Sequence, residues 1–208
     1  WLEKLFGSST PAMSSGQPQL LVIGLGNPGP DYESTPHNLG FMVLDRLAEK
    51  AGVAFRSEYC QSLVAPATLE GTRVLLAKPL TFMNLSGTAV KGLLAKHGLG
   101  PAQLLVVFDE MDLPWGSIRI RASGSAGSHN GVRHIVRALG NDGFARVRLG
   151  INPGHEVRDL ASYVLAPIRG ERAKQLEQWL DVAAEAVCSI ITEGVEKAMT
   201  RHNRRAQG

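Results

Sequence analysis

Short apolar runs alternate with amphipathic stretches along most of this chain, and this alternation constrains the possible folds more than any other feature. The runs at 19–25 and 104–109 are almost entirely apolar, which is typical of strands buried on both faces of a sheet. Between them, apolar residues recur at helical spacing over 38–51 and stop before Gly52. Strands that alternate with helices predict an α/β fold with a largely parallel sheet and helices on both of its faces.

The same two periodicities predict the remaining elements. Further strands are expected at 73–79, 117–121 and 145–151. Further helices are expected from Ser86, as a capping residue, to His97, at 131–139, at 157–164, and at 170–199 as one long helix or two abutting ones. Because the strands at 117–121 and 145–151 alternate apolar and basic residues, they indicate some edge or antiparallel pairing. The sequence therefore predicts a single three-layer αβα domain with a twisted, mixed and largely parallel sheet.

The composition is that of an ordinary globular protein. Hydrophobic residues make up 44% and charged residues 20% of the 208 residues, which is enough chain for one three-layer core. No apolar run approaches the roughly 20 residues that a membrane helix needs. The two cysteines, Cys60 and Cys188, are too few for a disulfide framework or a zinc ligand set, so a reducing, cytoplasmic setting is expected. The net charge of +3 leans only mildly towards acidic partners.

Residues 1–18 differ in character from the rest of the chain. They end in a stretch rich in serine, proline and glycine, and their few apolar residues are too scattered for a secretory signal. This composition predicts a disordered N-terminal segment, so the folded domain is expected to occupy 19–208.

The sequence GLGNPG at 24–29 fits G-x-G-x-x-G directly after a strand, which is the pattern of a dinucleotide-binding turn. Pro28 and Pro30 argue against that interpretation, because they remove backbone donors and delay the helix whose N–H groups would meet a pyrophosphate. The acidic residue expected about 20 positions later on a second strand is also missing, since Asp45 falls in a helix. The loop instead places Asn27 at the carboxyl end of the first strand, where open α/β sheets bind ligands.

Other polar side chains also follow predicted strands or open predicted helices. Together with Asn27 they are His37, Asn84, Asp109 and Asn130. Each alone has a structural explanation as a turn or capping residue. In a largely parallel sheet, however, all of them gather at the same edge, which favours one crevice containing a possible base, a carboxylate and three amides.

The chemistry open to this set is limited by what the sequence lacks. There is no G-x-S-x-G motif, and both cysteines lie outside the set, so a covalent nucleophile is not expected. Candidate metal ligands are His37, His129, Asp109, Glu110 and Asp112. Neither an H-E-x-x-H motif nor a close histidine pair supports a metal, so no metal and no cofactor is expected. The remaining option is hydrolysis of an ester or amide by a histidine that activates water, an aspartate that orients it and amides that stabilise an oxyanion.

Four longer motifs resemble those of the bacterial-type peptidyl-tRNA hydrolase family. They are GLGNPGPDYESTPHNLGF, KPLTFMNLSG, VVFDEMDLPWGSIRIR and GSAGSHNGVRHI, in this order, and the resemblance extends over about residues 20–200. It implies a single α/β domain that hydrolyses the ester joining a peptide to the 3′ ribose of tRNA and so recycles tRNA. It also implies a metal-independent, cytoplasmic and monomeric enzyme whose partner is peptidyl-tRNA and not a membrane.

The resemblance further implies roles for individual residues. His37 resembles the general base, Asp109 the partner that orients it, and Asn27 the residue that holds water or the substrate ester. The residues implied in gripping the peptide and positioning water are Tyr32, Met83, Asn84 and Asn130. Those implied in contacting the 5′ phosphate of tRNA are Arg121 and Arg148, in agreement with the bidentate affinity of guanidinium for phosphate.

Two positions depart from the family pattern. Pro36 stands where the family usually has arginine, which removes a basic contact, and Ser128 stands where glycine is usual, which reduces the conformational freedom of its loop. Neither departure falls on a residue that takes part in the expected chemistry, so activity is still expected. Two other function classes remain open: a non-catalytic RNA-binding relative, and a nucleotide-dependent oxidoreductase that rests only on the glycine motif.

Overall fold

The computed structural model describes residues 16–203. Most of the N-terminal segment for which disorder was predicted, residues 1–15, lies outside the described residues. The strands are β1 (Leu20–Gly24), β2 (Ser57–Tyr59), β3 (Ser62–Leu69), β4 (Thr72–Pro79), β5 (Leu104–Pro114), β6 (Ile118–Arg121) and β7 (Ala145–Asn152). The helices are α1 (Leu39–Lys50), α2 (Ser86–His97), α3 (Asn130–Leu139), α4 (Leu160–Val164), α5 (Glu171–Glu193) and α6 (Val195–His202). None of these helices is long and apolar enough to cross a membrane.

The strands form one seven-stranded sheet in the order β2-β3-β4-β1-β5-β7-β6. The four central strands, β4, β1, β5 and β7, are parallel. Antiparallel pairing is confined to the two sides, where β2 and β3 continue from β4 and β6 pairs with β7. The predicted mixed and largely parallel sheet is therefore confirmed.

Helices cover both faces of this sheet, as the alternation of buried residues along β1 demonstrates. Leu20 and Val22 belong to a hydrophobic cluster with α1, α5 and α6. Leu21 and Ile23 belong to a second cluster with α2 and α3. Because successive side chains of a strand point to opposite faces, these two clusters are the two interlayer cores of a three-layer αβα domain.

The β2–β3 hairpin is an element that the sequence patterns did not predict. Its turn lies at Cys60 and Gln61, which adopt φ values of 49° and 53° without the glycine or asparagine that usually marks such a turn. Pro66 also interrupts the strand pattern of β3. Proline is tolerated there because β2 pairs with β3 only as far as Val64, so that β3 is an edge strand beyond that point.

Two smaller expectations are corrected, and one that was left open is decided. β5 does not end at 109 but continues to Pro114, because the extra residues pair with β7. Ser86 begins α2 but does not cap it, since its hydroxyl donates to the carbonyl of Met83. The stretch 170–199 forms two helices, which are separated at Gly194, where φ is 90°.

A close approach between α1 and the sheet places the start of this helix beside the carboxyl ends of β1 and β5. A Cβ atom on Gly40 would lie 2.4 Å from both the nitrogen of Leu25 and the carbonyl oxygen of Val107. These two backbone groups are themselves hydrogen-bonded, at 2.9 Å. Only glycine allows this contact, and it brings the residues that precede α1 to the functional edge of the sheet.

Candidate active site

His37 and Asp109 form the central contact of the candidate site. His37 lies in the 3₁₀ turn Pro36–Asn38 that leads into α1, and Asp109 lies near the middle of β5. Nδ1 of His37 is 2.9 Å from Oδ1 and 3.0 Å from Oδ2 of Asp109. An ionised carboxylate can only accept, so Nδ1–H donates and the neutral imidazole carries its lone pair on Nε2. This is the arrangement of a general base with an orienting carboxylate.

His129 is a second histidine at the same carboxylate. Its Nε2 lies 2.9 Å from Oδ1 of Asp109, and its Nδ1 accepts from the backbone N–H of Val132 at 3.3 Å, which caps α3. Because Nδ1 accepts, the ring proton sits on Nε2 and donates to Asp109. The sequence analysis considered His129 only as a metal ligand. The local signal of this capping role is a polar side chain directly before Asn130, where α3 begins.

The two imidazoles determine the charge of Asp109, a residue that is 3% exposed. Burial acts to raise the pKa of this carboxyl, but the charges of His129 and His37 and their hydrogen bonds outweigh burial. The pKa of Asp109 is therefore held well below its usual range. Asp109 thus stays ionised and orients the imidazoles without taking up a proton itself.

The same three side chains could offer ligands to a metal ion, since their ligand atoms lie within 4.8 Å of one another. A metal on Nε2 of His129 would move the ring proton to Nδ1, where it would face the N–H of Val132. In that arrangement His129 would no longer cap α3. The hydrogen-bond pattern around His37, Asp109 and His129 is therefore suited to protons at both imidazoles.

Asn27 is held in place by a residue that the sequence analysis did not identify. Asn38 accepts from the backbone nitrogen of Asn27 at 2.9 Å and donates from Nδ2 to its carbonyl oxygen at 2.9 Å. The side-chain oxygen of Asn27 accepts from the backbone nitrogen of Met83, also at 2.9 Å. Because this oxygen is occupied, the group of Asn27 that remains to bind a ligand is its Nδ2 donor.

A cavity of about 270 Å³ opens beside the histidines. Of the predicted site residues, His37, Asp109 and Asn130 line it. Its apolar wall is formed by Met111, Leu160, Ala161 and Val164. The cavity thus places an amide, a base and an apolar surface next to one another, as a site for an acyl group requires.

The other predicted peptide contacts do not line this cavity. Met83 is buried in the core, whereas Asn84 is exposed in the 3₁₀ turn Met83–Leu85. Phe82, directly before this turn, is 58% exposed. Tyr32 is half-buried in a separate 3₁₀ turn, Pro30–Tyr32.

Comparisons with known proteins identify the family to which this geometry belongs. The family model of peptidyl-tRNA hydrolase matches residues 21–208. The chain belongs to the peptidyl-tRNA hydrolase family.

Individual relatives agree with this assignment. The peptidyl-tRNA hydrolases of Solibacter usitatus and Koribacter versatilis are 48% and 47% identical over 188 residues, which cover 90% of this chain and 96% and 94% of theirs. The solved structure of peptidyl-tRNA hydrolase from Acinetobacter baumannii is 32% identical, with a TM-score of 0.82, and the match covers 91% of this chain and 97% of that one. The expected α/β fold is confirmed by this likeness.

The two arginines that the family resemblance assigns to phosphate lie on a common face of β6 and β7. Arg121 is opposite Arg146, and Arg119 is opposite Arg148, so that all four side chains share one face. Ile118 and Ile120, which lie on the opposite face of β6 from the arginines, are buried. This confirms the predicted alternation of these two strands.

Arg121, Arg146 and Arg148 line a second cavity, of about 220 Å³, together with the glycine-rich loop that precedes α3. Arg148 is engaged with Glu110, to whose Oε2 its Nε and Nη2 donate at 2.9 and 2.7 Å. Arg146 is buried and donates to the carbonyl oxygens of Ser125 and of a residue in the loop before β7. Arg121, by contrast, is exposed.

Glu110 connects the two cavities, because it lines both of them. It is 4% exposed, and its carboxylate neutralises the charge of Arg148. The sequence analysis considered Glu110 only as a possible metal ligand, and no local pattern identifies Arg148 as its partner.

Proposed function

We propose that this chain hydrolyses the ester bond between a peptide and the 3′ ribose of tRNA, with His37 as the general base. The observation that carries the proposal is the contact of His37 Nδ1 with Asp109, which leaves Nε2 as a lone-pair acceptor at the wall of the cavity. Asp109, itself buried and ionised, supplies the negative charge that stabilises the imidazolium formed during the reaction.

The reaction proceeds in two proton transfers. Nε2 of His37 takes a proton from a water molecule as the water oxygen attacks the ester carbonyl, which gives a tetrahedral oxyanion. The imidazolium then returns this proton to the ribose oxygen as the ester C–O bond breaks. The products are a peptide with a free carboxylate and a tRNA with a free 3′ hydroxyl.

Two amides assist this reaction in the proposal. The Nδ2 group of Asn27 is the free half of its side chain, and Asn130 lines the cavity together with His37. We assign both as donors to the ester carbonyl or to the attacking water. Donors fixed in advance stabilise a developing oxyanion more than mobile ones do, because they need no reorganisation.

Recognition of the substrate involves both cavities in this proposal. Tyr32, Met83 and Asn84 contact the peptide outside the cavity that holds the ester. Arg121 and Arg148 contact the 5′ phosphate of tRNA from the second cavity, where arginine fork geometry suits phosphate oxygens. The enzyme acts as a cytoplasmic monomer formed by a domain at 19–208. Sedimentation of the purified protein would test its monomeric state.

The test is release of free tRNA from N-blocked aminoacyl-tRNA, with unblocked aminoacyl-tRNA as the control. We expect turnover of the blocked substrate and little of the unblocked one. Binding of both without turnover would instead identify a non-catalytic RNA-binding protein.

A further inference from the structure

Arg133 lies in the first turn of α3, on the exposed side of the helix and close to Asn130. Its Nη1 donates to Oδ1 of Asn130 at 3.0 Å, and its Nη2 donates to the carbonyl oxygen of Gly127 at 3.2 Å. We propose that Arg133 is a positioning residue that orients the amide of Asn130 for catalysis. This inference rests on the proposed function, in which Asn130 donates a hydrogen bond within the site.

The chemistry of guanidinium determines which half of the Asn130 amide faces Arg133. Guanidinium has only donors, so the atom it contacts must be the side-chain oxygen of Asn130. The amino group of Asn130 therefore points away from Arg133. An unsupported asparagine could present either half of its amide to the substrate, and its oxygen would repel an oxyanion. Arg133 removes this ambiguity, and its positive charge strengthens Nδ2–H as a donor.

The second contact of Arg133 fixes the loop from which α3 emerges. Gly127, whose φ is 56°, lies in the glycine-rich stretch between β6 and α3. One planar guanidinium thus holds both the loop backbone and the Asn130 side chain. Arg133 does not line the cavity with His37, so it acts through Asn130 and not on the substrate.

An exposed arginine could alternatively contact the tRNA body, and the experiment must separate these two roles. We would measure kcat and KM on N-blocked aminoacyl-tRNA and on the N-blocked aminoacyl ester of a short CCA oligonucleotide. Arg133→Ala should lower kcat about tenfold on both substrates, the size expected for one lost hydrogen bond from a charged donor. Arg133→Lys should recover part of this loss. The matched control is Arg137→Ala, which removes an exposed arginine one turn later on α3 and should leave kcat unchanged.

A double-mutant cycle with Asn130 makes the test specific. In the Asn130→Ala background, Arg133→Ala should have no further effect on kcat. The proposal is overturned if the two effects add, if Arg133→Ala changes only KM and only with the full tRNA, or if it changes nothing. No turnover by the wild-type protein would overturn the proposed function as well, whereas normal wild-type turnover with an unaffected Arg133→Ala variant would overturn this proposal alone.

Discussion

Nε2 of His129 lies 2.9 Å from Oδ1 of Asp109, and both side chains are buried. The carboxylate that orients His37 is therefore itself positioned by a second imidazole, which is anchored in turn to the start of α3. The base and the helix that carries Asn130 are thus connected through one carboxylate. Because His37 and His129 share this carboxylate, we expect their contributions to be coupled.

His37→Ala should lower kcat by about 10²–10⁴, the usual range for loss of a general base. The protein should still fold, but its free energy of unfolding should fall by about 1–3 kcal/mol, because the buried carboxylate of Asp109 loses one of its two imidazole partners. Turnover of N-blocked aminoacyl-tRNA and urea unfolding measure the two quantities. His155→Ala, which removes an exposed histidine, serves as the control. Near wild-type turnover by folded His37→Ala would exclude His37 as the base.

Two substitutions at His129 should separate its capping role from its contact with Asp109. His129→Ala loses both and should destabilise the protein by about 1 kcal/mol through the lost cap alone, with a loss of activity as well. His129→Asn retains a good capping residue but cannot reach Asp109 in the same way, so it should retain more stability and still lose activity. Urea unfolding and kcat of both variants provide the measurement. Equal activity of His129→Asn and the wild type would limit His129 to capping.

Asp109→Asn should impair activity by about 10²-fold or more, because the amide carries no negative charge to stabilise the imidazolium and places an NH₂ donor against Nδ1–H of His37 where Oδ2 stood. It should also change the response to acid. The pKa of Asp109 is lowered from its ordinary value of 3.8, so the unfolded chain takes up a proton at higher pH than the folded chain does. The stability that ionised Asp109 contributes is therefore present above about pH 4 and is lost as the pH falls further.

Urea unfolding of the wild type and Asp109→Asn at pH 6 and pH 3 measures this acid response. The stability advantage of the wild type should shrink at the lower pH. Asp31→Asn, at an exposed aspartate in the turn Pro30–Tyr32, should leave the wild-type pH dependence unchanged. A constant difference between the wild type and Asp109→Asn at both pH values would contradict the assignment.

Arg121→Ala and Arg148→Ala should each weaken tRNA binding and reduce the slope of log affinity against log salt by roughly one per phosphate contact. The rate on the short CCA ester should hardly change in either variant, because this substrate lacks the 5′ phosphate. Binding titrations at several salt concentrations provide the slopes. Unaltered slopes in both variants would reduce Arg121 and Arg148 to ordinary surface residues.

Arg148→Ala needs a matched control because it also leaves the buried carboxylate of Glu110 without its cation. Breaking a buried pair in this way destabilises a protein by about 3–5 kcal/mol, and the partial exposure of Arg148 places the expected effect at or below the lower end. The double variant Glu110→Gln with Arg148→Ala should recover much of this stability without recovering tRNA affinity. Recovery of both would mean that the affinity loss reflects local unfolding.

Local pattern was sufficient for most of the fold. Hydrophobic periodicity predicts the central strands, α1 and the order of these elements. A strand or helix buries one face, and the residues of that face recur every second residue or about every 3.6 residues along the sequence. The β2–β3 hairpin escaped prediction because Cys60 and Gln61 form its turn and Pro66 interrupts its second strand. The turn and the proline are both tolerated because of how β3 pairs with its neighbouring strands, which the local sequence does not reveal.

The sequence by itself determined the order of the central strands and of the helices and, through its motifs, placed His37, Asp109 and Asn27 at the functional edge. Only the tertiary structure decided which groups hold them: His129 on Asp109, Asn38 on Asn27 and Glu110 on Arg148. These contacts join residues 11 to 38 positions apart along the chain. Their distances depend on strand order, register and the close packing of α1 against the sheet, and no local periodicity encodes them.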